Sequence, residues 1–174
     1  MNLIIGDCET TGLDEAKDYI LEIALVAVSL PTFTEVAFFS SVVCPPQWAT
    51  VYRNMPERVQ AMHTASGLIA ELNGVEPNGA EVEKAACAFV RQHSPRTPVW
   101  TTPLGGANPD FDRRFLRKRM PQLHAMFHYR NFDVRAITQL QDWVFGWKHV
   151  ESPHRALPDA RKAAADVRAF LGAS

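Results

Sequence analysis

Two carboxylates one residue apart, Asp7 and Glu9, follow directly on the apolar run Leu3-Ile4-Ile5. Side chains alternate faces along a strand, so Asp7 and Glu9 point the same way and Cys8 the other. Like charges at that range repel, and each resists leaving water. A positive partner must sit between them, yet the nearest basic residue in sequence is Lys17. Two readings stay open on this stretch alone: a strand tip running out into solvent with two hydrated acids, or part of a divalent-metal site with oxygen ligands.

Two further acids stand in settings that could join them. Asp112 lies in "GGANPDFDRRFL", where Gly105, Gly106 and Pro109 break the chain and Asp112 opens a helix. An acid in a first turn is also favoured by the helix dipole alone. The two glycines let a ligand come close to the backbone. Asp159 lies in "HRALPDARKAAADV", off the apolar stripe of the last helix. Its plain alternative is an ion pair with Arg155 or Lys162 at helical spacing. His154 precedes Asp159 by five residues, roughly 140° apart on a continuous helix, so it must lie in the loop before that helix to work beside it. About four carboxylates could hold two Mg²⁺ or Mn²⁺ ions ~3.5–4 Å apart, the arrangement that clamps both oxygens of a phosphodiester exchange.

The elements that must position these residues follow from pattern. "YILEIALVAVSL" (19–30) and "EVAFFSSVVC" (35–44) read as strands, and the short "PTFT" link predicts antiparallel pairing. "HTASGLIAEL" (63–72) predicts a helix capped by Thr64 or Ser66. Helices are also expected over 79–93, from Phe111, over 134–144 and over 157–171, with short strands at 98–100 and 128–134. Three strands followed by mixed helices and strands predict one α/β domain, residues 1–174, with a mixed sheet.

Composition bounds the function. The 174 residues are 47% hydrophobic and 21% charged, with net charge −1, so this is no protein coated for long duplex DNA. No signal peptide or membrane span is expected. Cys8, Cys44 and Cys87 are far apart, which predicts reduced thiols and a cytoplasmic home. Residues 1–30 hold six acids and one base, whereas residues 113–130 hold six bases and no acid. Such poles suit a metal site beside a polyanion site, or two unrelated hydrated faces.

Taken together, Asp7-Cys8-Glu9, Asn108-Pro109-Asp110-Phe111-Asp112 and His154-Arg155-Ala156-Leu157-Pro158-Asp159 resemble the three motifs of the DEDDh 3′–5′ exonucleases, in the right order. The resemblance spans residues 3 to about 171 and implies a ribonuclease-H-like fold, a five-stranded mixed sheet flanked by helices. Within that family "MHTASGL", "DRRFLRKRMPQL", "FHYRNFDV" and "HRALPDAR" are most similar to oligoribonuclease. Thr10, Arg58, Asn108 and Arg135 depart from the oligoribonuclease pattern, and "GGANPDFD" is nearer the wider exonuclease group, including phage-type members.

The resemblance implies that Asp7, Glu9, Asp112 and Asp159 hold two Mg²⁺ or Mn²⁺ ions, and that His154 is the general base. An imidazole with an ordinary pKa of ~6.5 suits that work. It also implies substrate contacts from Thr10, Gly12, Leu13, His63, Asn108, Tyr129 and Arg130, release of nucleoside 5′-monophosphates from short single-stranded RNA, and a homodimer. The alternative is a general or proofreading-type exonuclease on longer single-stranded DNA or RNA, with Arg113, Arg114, Arg117, Lys118 and Arg119 as an open basic track. A haloacid-dehalogenase-like phosphatase would need an Asp in place of Glu9. A non-catalytic nucleic-acid-binding module would be signalled by loss of an acid, and none is lost.

Overall fold

The computed structural model of the chain describes residues 1–94, 97, 101–146 and 154–172. Its sheet contains β1 (Asn2–Thr10), β2 (Ile20–Ser29), β3 (Thr34–Val42), β4 (Leu104–Gly106) and β5 (Asn131–Asp133). The spatial order is β3-β2-β1-β4-β5. β1, β2 and β3 pair antiparallel, while β4 and β5 run parallel to β1. The five-stranded mixed sheet is thus present.

The helices are α1 (Trp48–Asn54), α2 (Glu57–Ala65), α3 (Leu68–Leu72), α4 (Gly79–His93), α5 (Pro109–Arg119), α6 (Pro121–His124), α7 (Val134–Phe145) and α8 (Ala156–Phe170). Alternation along β1 divides the core. Ile4 and Cys8 pack with Val90 of α4, Phe115 and Leu116 of α5 and Leu123 of α6. Leu3 and Ile5 pack on the other face with Val134 of α7 and with Ala160, Ala164 and Val167 of α8. Covering both faces explains why β2 is apolar apart from Glu22 and its terminal Ser29, and buried up to that last residue.

The strand expected at 98–100 lies outside the described residues. Four other expectations need correction. The short strand beside β1 is seen at Leu104–Gly106, in the stretch read as a chain break. It pairs there because Gly105 and Gly106 lack side chains: a Cβ on Gly106 would stand 2.6 Å from the Gly6 carbonyl oxygen. The helix expected over 63–72 is two helices, since Gly67 adopts φ 82° between α2 and α3. Neither Thr64 nor Ser66 caps α3, whose N-cap is Gly67 itself. The last strand is only Asn131–Asp133, and α1 and the first turns of α2 were not foreseen.

Candidate active site

Asp7 and Glu9 lie on the face of β1 that carries Leu3 and Ile5, the face covered by α8. Asp159 sits in the first turn of α8. The three carboxylates offer oxygens that all lie within 4.8 Å of one another. Asp112 comes from the opposite layer, in the first turn of α5, where Pro109 occupies an opening position that suits its missing N–H. It is not one of that triplet. Its Oδ1 accepts the backbone N–H of Cys8 at 2.9 Å, so it is pinned to β1 between the two acids.

Burial, joined by crowding at Asp7 and Glu9, drives Asp7, Glu9 and Asp112 toward their neutral forms. Asp7 is pushed well above the ordinary carboxylate range, first by burial and then by the charges of Asp112, Glu9, Asp159 and Glu22. Glu9 is raised to about 7, by burial and then by Asp159, Glu22 and Asp112, with Arg155 opposing. Asp112 is raised to about 7 by burial, against the lowering effect of the Cys8 N–H. These three acids, with Asp159 beside Asp7 and Glu9, make a donor set of hard oxygens, suited to divalent cations.

His154 is exposed and stands before α8 with a left-handed backbone, φ 53°. It thus lies in the loop preceding Asp159, the only placement that spacing allowed. Arg155 and Lys162, the alternative partners of Asp159, pair elsewhere: Arg155 with Glu22 and Glu71, Lys162 with Asp166. Glu22 is a buried carboxylate that pattern reading passed over. Its signal was available, as a lone acid inside an otherwise apolar strand.

The expected substrate contacts fall in several places. Thr10 is buried, and its hydroxyl donates to the Gly12 carbonyl at 2.7 Å. Gly12 leaves room for the Asp18 carboxylate, which a Cβ there would strike. Leu13 projects from this turn, 79% exposed. Asn108 holds φ 68° just before α5. His63 is fully buried rather than open to a phosphate. Its Nε2 lies 2.9 Å from the Thr10 carbonyl, and a carbonyl can only accept, so that nitrogen carries the proton. Its Nδ1 faces Glu9 at 3.8 Å, and burial holds the ring below its usual pKa.

Tyr129 and Arg130 are set apart from the acids. β5 begins at Asn131, level with Leu104 and, through β4, with Ile4. Tyr129 is therefore about five residues short of Asp7 along parallel strands, on the order of 15 Å at ~3.3 Å per residue. Its ring is 74% exposed and stacks with His128 at 4.3 Å, with the Arg130 guanidinium 5.2 Å from its centroid.

Three of the five basic residues of the α5 run are held by the protein itself. Arg113 donates to Asn131 Oδ1 at 2.6 Å and to the His128 carbonyl at 2.7 Å. Arg114 meets Glu15 at 3.1 Å. Arg119 donates to the Asp18 carbonyl at 2.8 Å and lies 4.3 Å over the Tyr19 ring. Only Arg117 and Lys118 of the run are exposed.

The family profile described as Exonuclease (RNase T) matches residues 4–166. The oligoribonuclease of Streptomyces coelicolor is 36% identical over 94% of this chain and 82% of its own length. That of Leifsonia xyli subsp. xyli is 39% identical over 90% and 76%, and that of Aromatoleum aromaticum 34% identical over 97% and 92%. The zinc-bound complex of E. coli exonuclease I with single-stranded DNA has the same fold, with TM-score 0.64 at 15% identity, over 96% of this chain and 39% of that one. The chain belongs to this exonuclease family, an enzyme of the 3′–5′ class on a ribonuclease-H-like fold.

Proposed function

We propose that the enzyme removes nucleoside 5′-monophosphates from the 3′ end of short single-stranded RNA, with Asp7, Glu9, Asp112 and Asp159 holding two Mg²⁺ or Mn²⁺ ions. The observation that carries this reading is the convergence of the Asp7, Glu9 and Asp159 carboxylates, with that of Asp112 buried beside them. Bound there, the ions supply Lewis acidity toward the scissile phosphate and an activated water.

The chain's own groups do the rest. His154, exposed at the head of α8, takes the proton from the attacking water as general base. Leu13 wedges against the terminal base from a turn shaped by Thr10 and Gly12, and Asn108 faces the terminal nucleotide. His63 supports Glu9 and Thr10 from behind. Because Tyr129 and Arg130 stand far from the acids of their own chain, they serve a second copy in a homodimer, stacking a base and gripping a phosphate there. The oligoribonuclease names of the relatives support RNA oligonucleotides as substrate. The internal partners of α5 weigh against a long-strand track. A cytoplasmic home fits the three free cysteines.

The test is kcat/KM for 5′-phosphorylated RNA and DNA from dinucleotide to 20-mer, in Mg²⁺ and in Mn²⁺. The RNA dinucleotide is expected to be the best substrate. A preference that rises with length and falls steeply with salt would instead identify a general exonuclease.

A further inference from the structure

Beside the acid cluster lies a second charged group. Arg155 Nε and Nη2 donate to Glu22 Oε2 and Oε1 at 3.0 and 2.9 Å. Arg155 Nη1 and Nη2 donate to Glu71 Oε1 and Oε2 at 2.8 and 2.9 Å, and Nη1 reaches the Ser66 carbonyl at 3.4 Å. Glu22 Oε2 also accepts the backbone N–H of Ala156 at 2.9 Å, an otherwise orphaned donor at the start of α8. One guanidinium thus ties β2, α3 and the connection between them and α8.

The placement of this clamp gives it a use. Arg155 directly follows His154 and precedes Asp159 by four residues. Glu22 stands opposite Glu9 in the β1–β2 ladder, so both side chains emerge on the same face. Left to itself, Glu22 would be a fifth acid in the cluster. Paired with Arg155, it becomes an anchor for the segment that carries the base.

We propose that Arg155 is a positioning residue, which through Glu22 and Glu71 fixes the head of α8 and thereby the approach of His154 to the reacting water. This rests on the assignment of His154 as general base. A guanidinium holds two carboxylates through rigid forked pairs, and a lysine cannot reproduce that geometry. Displacing a catalytic group by about 1 Å costs ~10²-fold in rate. Two residues that act as one unit lose their effects non-additively.

The experiment is a double-mutant cycle of Arg155→Lys with His154→Ala, read as kcat, KM, Mn²⁺ affinity and melting temperature. Arg155→Lys is expected to lower kcat by ~10–10²-fold, with KM and Mn²⁺ affinity changed by less than about threefold. In the His154→Ala background the same exchange is expected to change kcat by less than about twofold. Glu71→Gln, on the half-exposed arm of the clamp, is a second variant that leaves the buried Glu22 pair in place. It is expected to lower kcat by a smaller factor, and again only when His154 is present. An undiminished kcat in both clamp variants, or a loss that multiplies fully with that of His154→Ala, overturns the proposal while leaving the base assignment intact. Full turnover by His154→Ala overturns the base assignment, and the proposal with it.

Discussion

Asp7, Glu9 and Asp159 bring their oxygens within 4.8 Å of one another, whereas the arginines of α5 spread outward to two separate loops. In sequence the acids are scattered from residue 7 to residue 159, whereas the bases form one run. In the fold they are opposites. The acids are pressed together by three elements, β1, α5 and α8, and the charges around them help to raise the pKa of Asp7 and Glu9. The bases are drawn apart, and Arg113, Arg114 and Arg119 each end on an oxygen of the protein itself. A like-charge cluster that the chain does not neutralise requires something from outside. One that the chain does neutralise is a set of braces, here holding the Leu13 turn and the Tyr129 loop against the helix that carries Asp112.

That contrast can be broken most decisively at Asp7. Asp7→Asn is expected to lower turnover by ~10³-fold or more, at or above the loss of one electrostatic donor in an active site. The apo protein should melt at the same or a higher temperature, because a repulsive charge is gone. Turnover near wild type in Mg²⁺ would show that the acids are not the reactive centre.

The next effect concerns the braces. Arg113→Ala removes charged hydrogen bonds to Asn131 and to the His128 carbonyl, and is expected to destabilise the fold by ~1–3 kcal/mol in urea titration. Arg117→Ala, on the exposed side of the same helix, should stay within ~0.5 kcal/mol. If instead Arg113→Ala leaves stability untouched and weakens RNA binding in a salt-dependent way, the arginine is a substrate contact and the contrast fails.

The smallest effect is the pH dependence of the apo fold. Glu9 and Asp112 titrate at about 7 in the folded protein, above the values of 4.5 and 3.8 for the free groups. A raised folded pKa means the native state binds protons more tightly, so its stabilising effect is complete below the unfolded pKa and is lost as pH rises through about 7. The apo melting temperature is therefore expected to fall between pH 5.5 and 8, by ~2–4 °C for each kcal/mol lost in a domain of this size. Saturating Mn²⁺ should reverse the slope, since metal competes with those protons. A flat apo profile would mean that the acids are better hydrated than their burial implies.

Much of the fold was legible because its signals are local. The antiparallel β2–β3 pair follows from apolar runs and a four-residue link, and the shared face of Asp7 and Glu9 follows from strand alternation. The loop position of His154 follows from helical geometry alone. What escaped depends on distant neighbours. β4 has almost no strand propensity and exists because two glycines let it lie against β1. The helix over 63–72 breaks at one glycine whose left-handed backbone no periodicity reveals. The partners of Arg155 lie 133 and 84 residues away in sequence, so i,i+4 spacing could offer only Asp159 as an alternative. The burial of His63 was equally hidden, since it follows from the docking of α2 behind β1.

Cys8 lies directly behind the acids, on the opposite face of β1, with Asp112 fixing its backbone. Burial and the surrounding carboxylates push its thiol well above the ordinary range, so at neutral pH it is neither ionised nor accessible. Such a thiol reacts with an alkylating reagent only during transient openings of the strand. The enzyme thus carries its own chemical clock: the rate at which Cys8 is capped measures how often the catalytic strand comes loose, and any cation that ties the acids together should slow it.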